Sequence, residues 1–319
     1  MLAYIARKIL HLIPMLLLVS FLIYLGIDLM PGDAVDFMIS PDELATVSPA
    51  NLAVMRANLG LDKPFLVRYF IWLGSLAKGD FGYSMQSGVA VSTLFAKTLP
   101  ATLELSLAAL LLSTVLGSVL GVISALRRGS MTDNVLSIAG MIGIAIPQFL
   151  FGLICIIVFV FKLGWLPAGG RMAPGHEAFF QRLDHLILPA CVLGLSLTAG
   201  VMRYARASML DSMNRDFVKT ARSKGIPEWR VNLLHGFRVA CTPVAVLIGF
   251  RLPMLIGGAV VVEQIFQWPG IGVMFLAAVR AQNTPVVMMV GFFSVLLVLV
   301  ASIIVDIVTA MLDPRVKLQ

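Results

Sequence analysis

Charge is scarce in this chain. Only 13% of its 319 residues are Asp, Glu, Lys or Arg, against 59% hydrophobic residues and a mean hydropathy of +0.94. That balance excludes a soluble domain. Cysteine is scarce as well: Cys155, Cys191 and Cys241 fall inside apolar stretches and form no CxxC pair, which excludes a disulfide framework or a zinc site. They read as small apolar residues. The four histidines show no metal-ligand spacing, and His176 and His185, which share a loop, read as polar loop residues. No GxxxxGK[ST] occurs, so the chain has no phosphate-binding loop with which to hydrolyse ATP by itself. There is no HExxH, and GLSL at Gly194 to Leu197 lacks both the following Gly and an in-span histidine base, which argues against a membrane enzyme.

Long apolar runs are what the chain has in abundance. Six blocks, roughly Ile9–Ile27, Ala101–Leu126, Val135–Phe161, Leu186–Met202, Val239–Val262 and Val286–Leu312, approach or exceed the ~18–20 residues a helix needs to cross the hydrocarbon layer. The fourth is the shortest, and Arg251 interrupts the fifth. They are continuous, without the alternation of a transmembrane barrel, so the expected fold class is an all-α membrane protein with six transmembrane helices. Arg7 and Lys8 precede the first block as in a signal peptide. That block is longer than a typical signal core and no small-x-small pattern follows, so it reads as a retained span.

With the N-terminus placed inside, fourteen Lys and Arg residues fall in the inside segments against five acids, whereas the outside loops hold nine basic and ten acidic residues. This asymmetry predicts cytoplasmic N- and C-termini. It also accounts for most of the +7 net charge, and a nucleic-acid partner is not expected. The longest non-spanning stretch, about Pro31 to Leu99, lies outside in this reading. Within it, Ser48 and Pro49 start a helix that Gly60 stops. FLVRYFIWLGSLA follows; as a helix it covers only about 20 Å, too short to span, and is expected in the outer interface with Tyr69 and Trp72 at headgroup level. Gly117 and Gly121 form a GxxxG spacing that reads as close helix packing. Pro147, Pro243 and Pro253 are expected to kink spans.

Ionisable residues inside spans are functional candidates, because burying them in lipid is costly. Glu104 and Asp306 lie near span ends and read as structural. Arg251 sits mid-span and either lines a substrate path or pairs with an acid such as Glu104.

FVKTARSKGIPEWR, Phe217 to Arg230, concentrates positive charge between two apolar blocks. A helix from Arg203 to Lys224 would align Ala205, Met209, Met213, Phe217 and Ala221, with Arg215, Lys219 and Arg222 on another face. Gly225 can then take a left-handed turn, and Pro227 with Glu228 starts a new helix. An apolar knob with a basic rim suits a groove on a partner protein; an interfacial helix on anionic lipid and a plain topology anchor are the alternatives.

KTARSKG, Lys219 to Gly225, followed by HGFRVACTP, His235 to Pro243, resembles the cytoplasmic EAA loop of ABC importer permeases in the peptide and nickel subgroup. ARKILHLIPMLLLVSFLIYL, MPGD, LGLDKP, GDFGYSM, TLPATLEL, GGAVVVEQIFQWPGIG and DPRV resemble further landmarks of that subgroup, in order along nearly the whole chain. The resemblance implies a type I importer fold and a multi-pass subunit of the bacterial inner (cytoplasmic) membrane. It implies four kinds of partner: a second, non-identical permease, two cytoplasmic ABC ATPase subunits, an extracytoplasmic substrate-binding protein and the lipid bilayer. No cofactor is expected on this chain, ATP and Mg being used by the ATPase subunits, and no catalysis. The ATPase-coupling residues implied are Arg215, Asp216, Phe217, Lys219, Thr220, Ala221, Arg222, Gly225 and Glu228; Arg251 and Glu263 are the pathway or gate candidates, and no metal ligand is implied. Lys219 and Thr220 stand where the loop's name has Glu and Ala, and Arg251 stands where an uncharged polar residue or histidine is usual. Pro253 replaces what is commonly a small flexible residue.

The expected organisation is residues 1–100 as first span plus extracytoplasmic region, 101–312 as a five-helix core with the coupling loop at about 203–238, and 313–319 as a cytoplasmic tail. The expected cargo is a di- or oligopeptide. Alternatives are nickel, glutathione or oligosaccharide import by the same machine, or a self-contained secondary transporter or channel using Glu104, Asp306 and Arg251 as a charge relay.

Overall fold

A computed structural model describes residues 2–33, 35–36, 39, 47–172 and 179–312. His176, the tail 313–319 and the side chains of Arg7, Lys8 and Pro253 lie outside the described part. The helices are α1 (Leu2–Asp28), α2 (Pro49–Asn58), α3 (Phe65–Ala77), α4 (Val91–Leu126), α5 (Met131–Ala145), α6 (Gln148–Cys155), α7 (Phe179–Met213), α8 (Asp216–Ser223), α9 (Arg238–Gly258), α10 (Val260–Ile265), α11 (Ile271–Arg280) and α12 (Thr284–Leu312). Wide π-type turns extend α6 over Ile156–Lys162 and lead into α9 over Val231–Phe237. Among the described residues β-pairing is limited to one antiparallel bridge, Tyr83 with Ala90.

Among the described residues four stretches are long and apolar enough to cross a membrane: Val91–Leu126, Arg182–Met213, Glu228–Arg251 and Thr284–Ile307. The third block departs from a straight span: α5 and α6 meet at a bend of 100°, and counting the pair as one crossing gives five. The cause is local. Pro147 pushes the residue before it out of the helical region, and Ile146 is extended at φ −78°, ψ 123°. Leu12–Asp28 of α1, α3 and α11 are apolar but shorter.

The described residues form two compact units, Ala101–Pro269 with 300–312, and Leu2–Pro100 with Gly270–Leu299, so that α4 and α12 each contribute to both. In the first unit α7 is the central helix. A side chain at Gly117 would come within 2.6 Å of Val201, and one at Gly121 within 2.6 Å of the Met202 carbonyl. The GxxxG pair thus lets α4 lie directly on α7. Leu105, Ala109, Val192, Leu193, Val262, Phe266 and Trp268 form the main core. Trp268 is fully buried, with Nε1 donating to the Ala101 carbonyl at 2.8 Å.

In the second unit α3 packs on α1 through Phe21, Tyr24, Phe65, Tyr69 and Trp72, with several edge-to-face contacts. The rings of Tyr69 and Trp72, expected at headgroup level, pack against α1. Tyr69 is buried, its hydroxyl 2.9 Å from Ser20 Oγ and donating to the Leu17 carbonyl at 3.1 Å; Leu66, Val67, Phe70 and Ile71 are the exposed face. A phenol needs a partner once its ring is buried, and α1 supplies two. Ser48 caps α2 by accepting from the Asn51 amide, and Gly60 follows at φ +69°. Arg56 binds Asp33 and Asp36, and Arg68 binds Asp28, closing this region with ion pairs.

Candidate functional site

The polar segment between α7 and α9 is built from short-range signals. The expected single helix from Arg203 to Lys224 is instead two: α7 ends at Met213, Arg215 is extended at φ −78°, ψ 154°, and α8 begins at Asp216. An acid at the first turn complements the positive end of a helix, which favours a start there. α8 then buries Val218 and Ala221 against Val231, with Met213 and Ile226 completing the cluster. Phe217, aligned with Ala221 by the continuous-helix reading, is exposed while Val218 is buried, because the break re-phases the helix.

The end of α8 is a Schellman cap. Gly225 has φ +71°; its amide donates to the Arg222 carbonyl at 2.9 Å, and the Ile226 amide donates to Ala221 at 3.3 Å. Those two bonds satisfy carbonyls the helix leaves open, and Ile226 makes the accompanying apolar contact. Pro227 then sets the entry to the turn Glu228–Arg230. Ser212 Oγ donates to the Gly236 carbonyl at 2.9 Å, tying the end of α7 to the π-type turn.

The basic rim is largely neutralised by its own neighbours. Arg215 reaches Asp211 at 2.7 Å, and Lys219 reaches Asp216 at 2.9 Å. Arg222 holds Glu228 with Nε to Oε1 at 2.8 Å and Nη2 to Oε2 at 3.2 Å. The ammonium of Lys219 holds the Asp216 carboxyl below the usual carboxylate range. Thr220 bonds back to the Asp216 carbonyl. What the segment presents outward is therefore a firm helical knob carrying paired charges, with Phe217 and Trp229 exposed and Arg230 lying 5.1 Å over the Trp229 ring.

The two pathway candidates differ from each other. Arg251, in α9, is partly buried; its Nη1 donates to the Leu197 carbonyl of α7 at 2.7 Å. Its expected partner Glu104 is taken: Arg171 donates to Glu104 Oε2 from Nε at 2.9 Å and from Nη2 at 2.7 Å. Glu263 is fully buried and accepts from Thr102 Oγ1 at 2.6 Å, fastening α10 to α4. Neither acid is presented to solute in this conformation.

Sequence reading missed a third charged cluster. Asp133 accepts from Arg206 Nε and Nη2, both at 2.8 Å, from Ser124 Oγ and from the Gly129 amide. It joins the end of α4, the start of α5 and α7 just before the coupling segment. The available signal was Ser130 followed three residues later by Asp133, a helix-start pattern in which Ser130 Oγ accepts from the Asp133 amide. Separately, a cavity of about 410 Å³ in the second unit is lined by Tyr24, Asp28, Arg68, Trp72 and Met85 among others. Among the described residues no group of His, Cys, Asp and Glu is arranged to hold a metal ion.

Comparison with known proteins decides the family. Residues 117–318 match the family described as binding-protein-dependent transport system inner membrane component, and residues 1–106 match the N-terminal family of the same membrane components. The chain belongs to this family. The oligopeptide transport system permease AppB of Bacillus subtilis (strain 168) is 42% identical over 319 residues, covering 99% of this chain and 100% of that protein. The di/tripeptide permease DppB of Pseudomonas aeruginosa (strain UCBPP-PA14) is 37% identical over 338 residues with complete coverage of both. The glutathione permease GsiC of Escherichia coli (strain K12) is 33% identical over 318 residues, 99% of each. The chain is thus a multi-pass membrane component of a binding-protein-dependent transport system.

Proposed function

We propose that this chain is one membrane-spanning subunit of an ATP-driven importer that moves di- or oligopeptides across a bacterial inner membrane. Full-length similarity to permeases named for oligopeptide and di/tripeptide transport carries the cargo assignment. In this reading α1, α4, the bent α5–α6 pair, α7, α9 with α10, and α12 are six crossings, and both termini are cytoplasmic, in keeping with the asymmetry of Lys and Arg. The partners are a second, non-identical permease, two ATPase subunits that use ATP and Mg, and an extracytoplasmic binding protein. This chain binds neither nucleotide nor metal and performs no catalysis.

The segment from Arg215 to Glu228 is the proposed contact with the ATPase. What supports it is the construction of α8: a short helix with a buried anchor of Val218 and Ala221, a Schellman-capped end and an ion pair across the turn. Such a body can be pushed without deforming. Closure of the ATPase subunits on ATP moves α8, and Ser212 and the Val231 anchor pass the displacement to α7 and α9. Arg251 lies on the path, and Glu263 holds the gate-side element α10 in place.

The test is ATP hydrolysis by the complex of both permeases and both ATPases in lipid, with binding protein that is empty or peptide-loaded. Stimulation by the loaded form is the expected result. Assembly without stimulation by any peptide would redirect the cargo to glutathione, nickel or sugars, and transport by this chain without ATPase subunits would overturn the reading.

A further inference from the structure

We infer that Arg251 binds the terminal carboxylate of the passing peptide and that Gly200 is the residue that positions it to do so. The inference rests on the peptide-import reading above. A guanidinium within a span is tolerated only where it finds polar partners or water. Among the described residues no ion pair joins Arg251 to an acid, and Glu104 and Asp133 are each engaged by another arginine. Arg251 is anchored instead by a neutral group, the Leu197 carbonyl at 2.7 Å. That bond uses one of five guanidinium N–H groups, which leaves four donors with which to meet an anion.

Gly200 makes this placement possible. A Cβ there would overlap Nη2 of Arg251, so the guanidinium lies against the bare backbone of α7. Leu197, Gly200 and the half-exposed Tyr204 follow one another at spacings of three and four on one face of α7, giving Arg251 a fixed bed. Fixing the plane of the guanidinium matters because a carboxylate accepts two parallel bonds only when the two planes coincide. Every linear peptide with an unmodified C-terminus ends in a carboxylate whatever its side chains. An arginine held in this way therefore selects the class without selecting the sequence.

The experiment is single-turnover transfer from binding protein pre-loaded to equal occupancy with one peptide, as free acid or as C-terminal amide, into vesicles holding the complete importer. The wild-type importer is expected to favour the acid by about ten- to a hundredfold, the range of a charge-assisted hydrogen bond to an ion. In Arg251→Gln that ratio falls toward one while amide transfer persists, and Arg251→Lys gives an intermediate ratio. Gly200→Ala lowers the ratio when Arg251 is present and has no further effect on it in Arg251→Gln. Equal loss of acid and amide transfer in Arg251→Gln would overturn the inference and mark a gating or subunit-pairing role. A Gly200→Ala effect of the same size in both backgrounds would overturn it too. Failure of the wild-type importer to transfer either form would instead defeat the peptide reading beneath it.

Discussion

Arg222 and Glu228 face each other across the left-handed turn at Gly225, joined by two parallel hydrogen bonds of 2.8 and 3.2 Å. Both side chains are exposed, where an ion pair contributes only about 0.2–1 kcal/mol. Its place spans the turn that links α8 to the segment leading into α9. The pair stiffens a lever more than it stabilises a fold.

Reversing the pair separates those roles. Arg222→Glu is expected to leave expression and thermal unfolding nearly unchanged but to reduce peptide uptake per ATP hydrolysed several-fold. The double variant Arg222→Glu, Glu228→Arg is expected to recover most of it. Uptake and hydrolysis measured together in vesicles check this.

Gly225 gives a sharper case. At φ +71° a β-branched residue is strained by about 1–2 kcal/mol. No neighbouring atom lies within 4 Å of a Cβ built there, so the strain is purely in the backbone. Gly225→Val is expected to uncouple hydrolysis from transport, whereas Gly225→Asn, which tolerates that conformation, retains coupling. Unchanged uptake by well-expressed Gly225→Val would contradict it.

Acid weakens the start of α8. The Asp216 carboxyl, kept charged by Lys219, titrates below its unfolded value, so its contribution is complete above about pH 4 and disappears as the pH falls through the lower folded value. Carboxyl-carbon NMR of a peptide-labelled sample should show Asp216 titrating low, and Lys219→Met should return it to the ordinary range.

Close packing of α4 on α7 predicts intolerance at Gly121. Gly121→Leu would push on the backbone at Met202 and Arg206 and is expected to destabilise the protein by about 1–3 kcal/mol or more. Gly129→Leu is not a fair control, because its φ is +78°; Gly26→Leu, with open space around it, is. Thermal unfolding in detergent compares the two.

Local signals were the legible ones. The Ser48 cap, the stop at Gly60, the turn at Gly225 and the entry at Pro227 each depend on residues within a few positions, and each has the expected geometry. The GxxxG spacing named a face, though not the helix it meets. Long-range pairings were hidden: Glu104 with Arg171 and Asp133 with Arg206 are 67 and 73 positions apart. Proximity in sequence could not reveal them, so Arg251 was offered Glu104 as a partner that the fold gives to Arg171. Tyr69 shows the same limit, since its burial depends on Ser20 and Leu17 in another helix. The break at Asn214 and Arg215 escaped because the apolar spacing in the sequence runs through it without a Gly or Pro to mark it. Only the local bonds of Asn214 and Arg215 to Asp211 and Ser212 end the helix.

The most direct test of the account is cross-linking from α8. In a protein with Cys155, Cys191 and Cys241 replaced by Ala, Thr220→Cys is joined to the assembled ATPase subunits by a short bifunctional thiol reagent, with and without ATP. The account predicts an adduct from Thr220→Cys whose yield changes with nucleotide, and none from Met131→Cys, an exposed position at the start of α5. No adduct from Thr220→Cys in an importer that still hydrolyses ATP would contradict it.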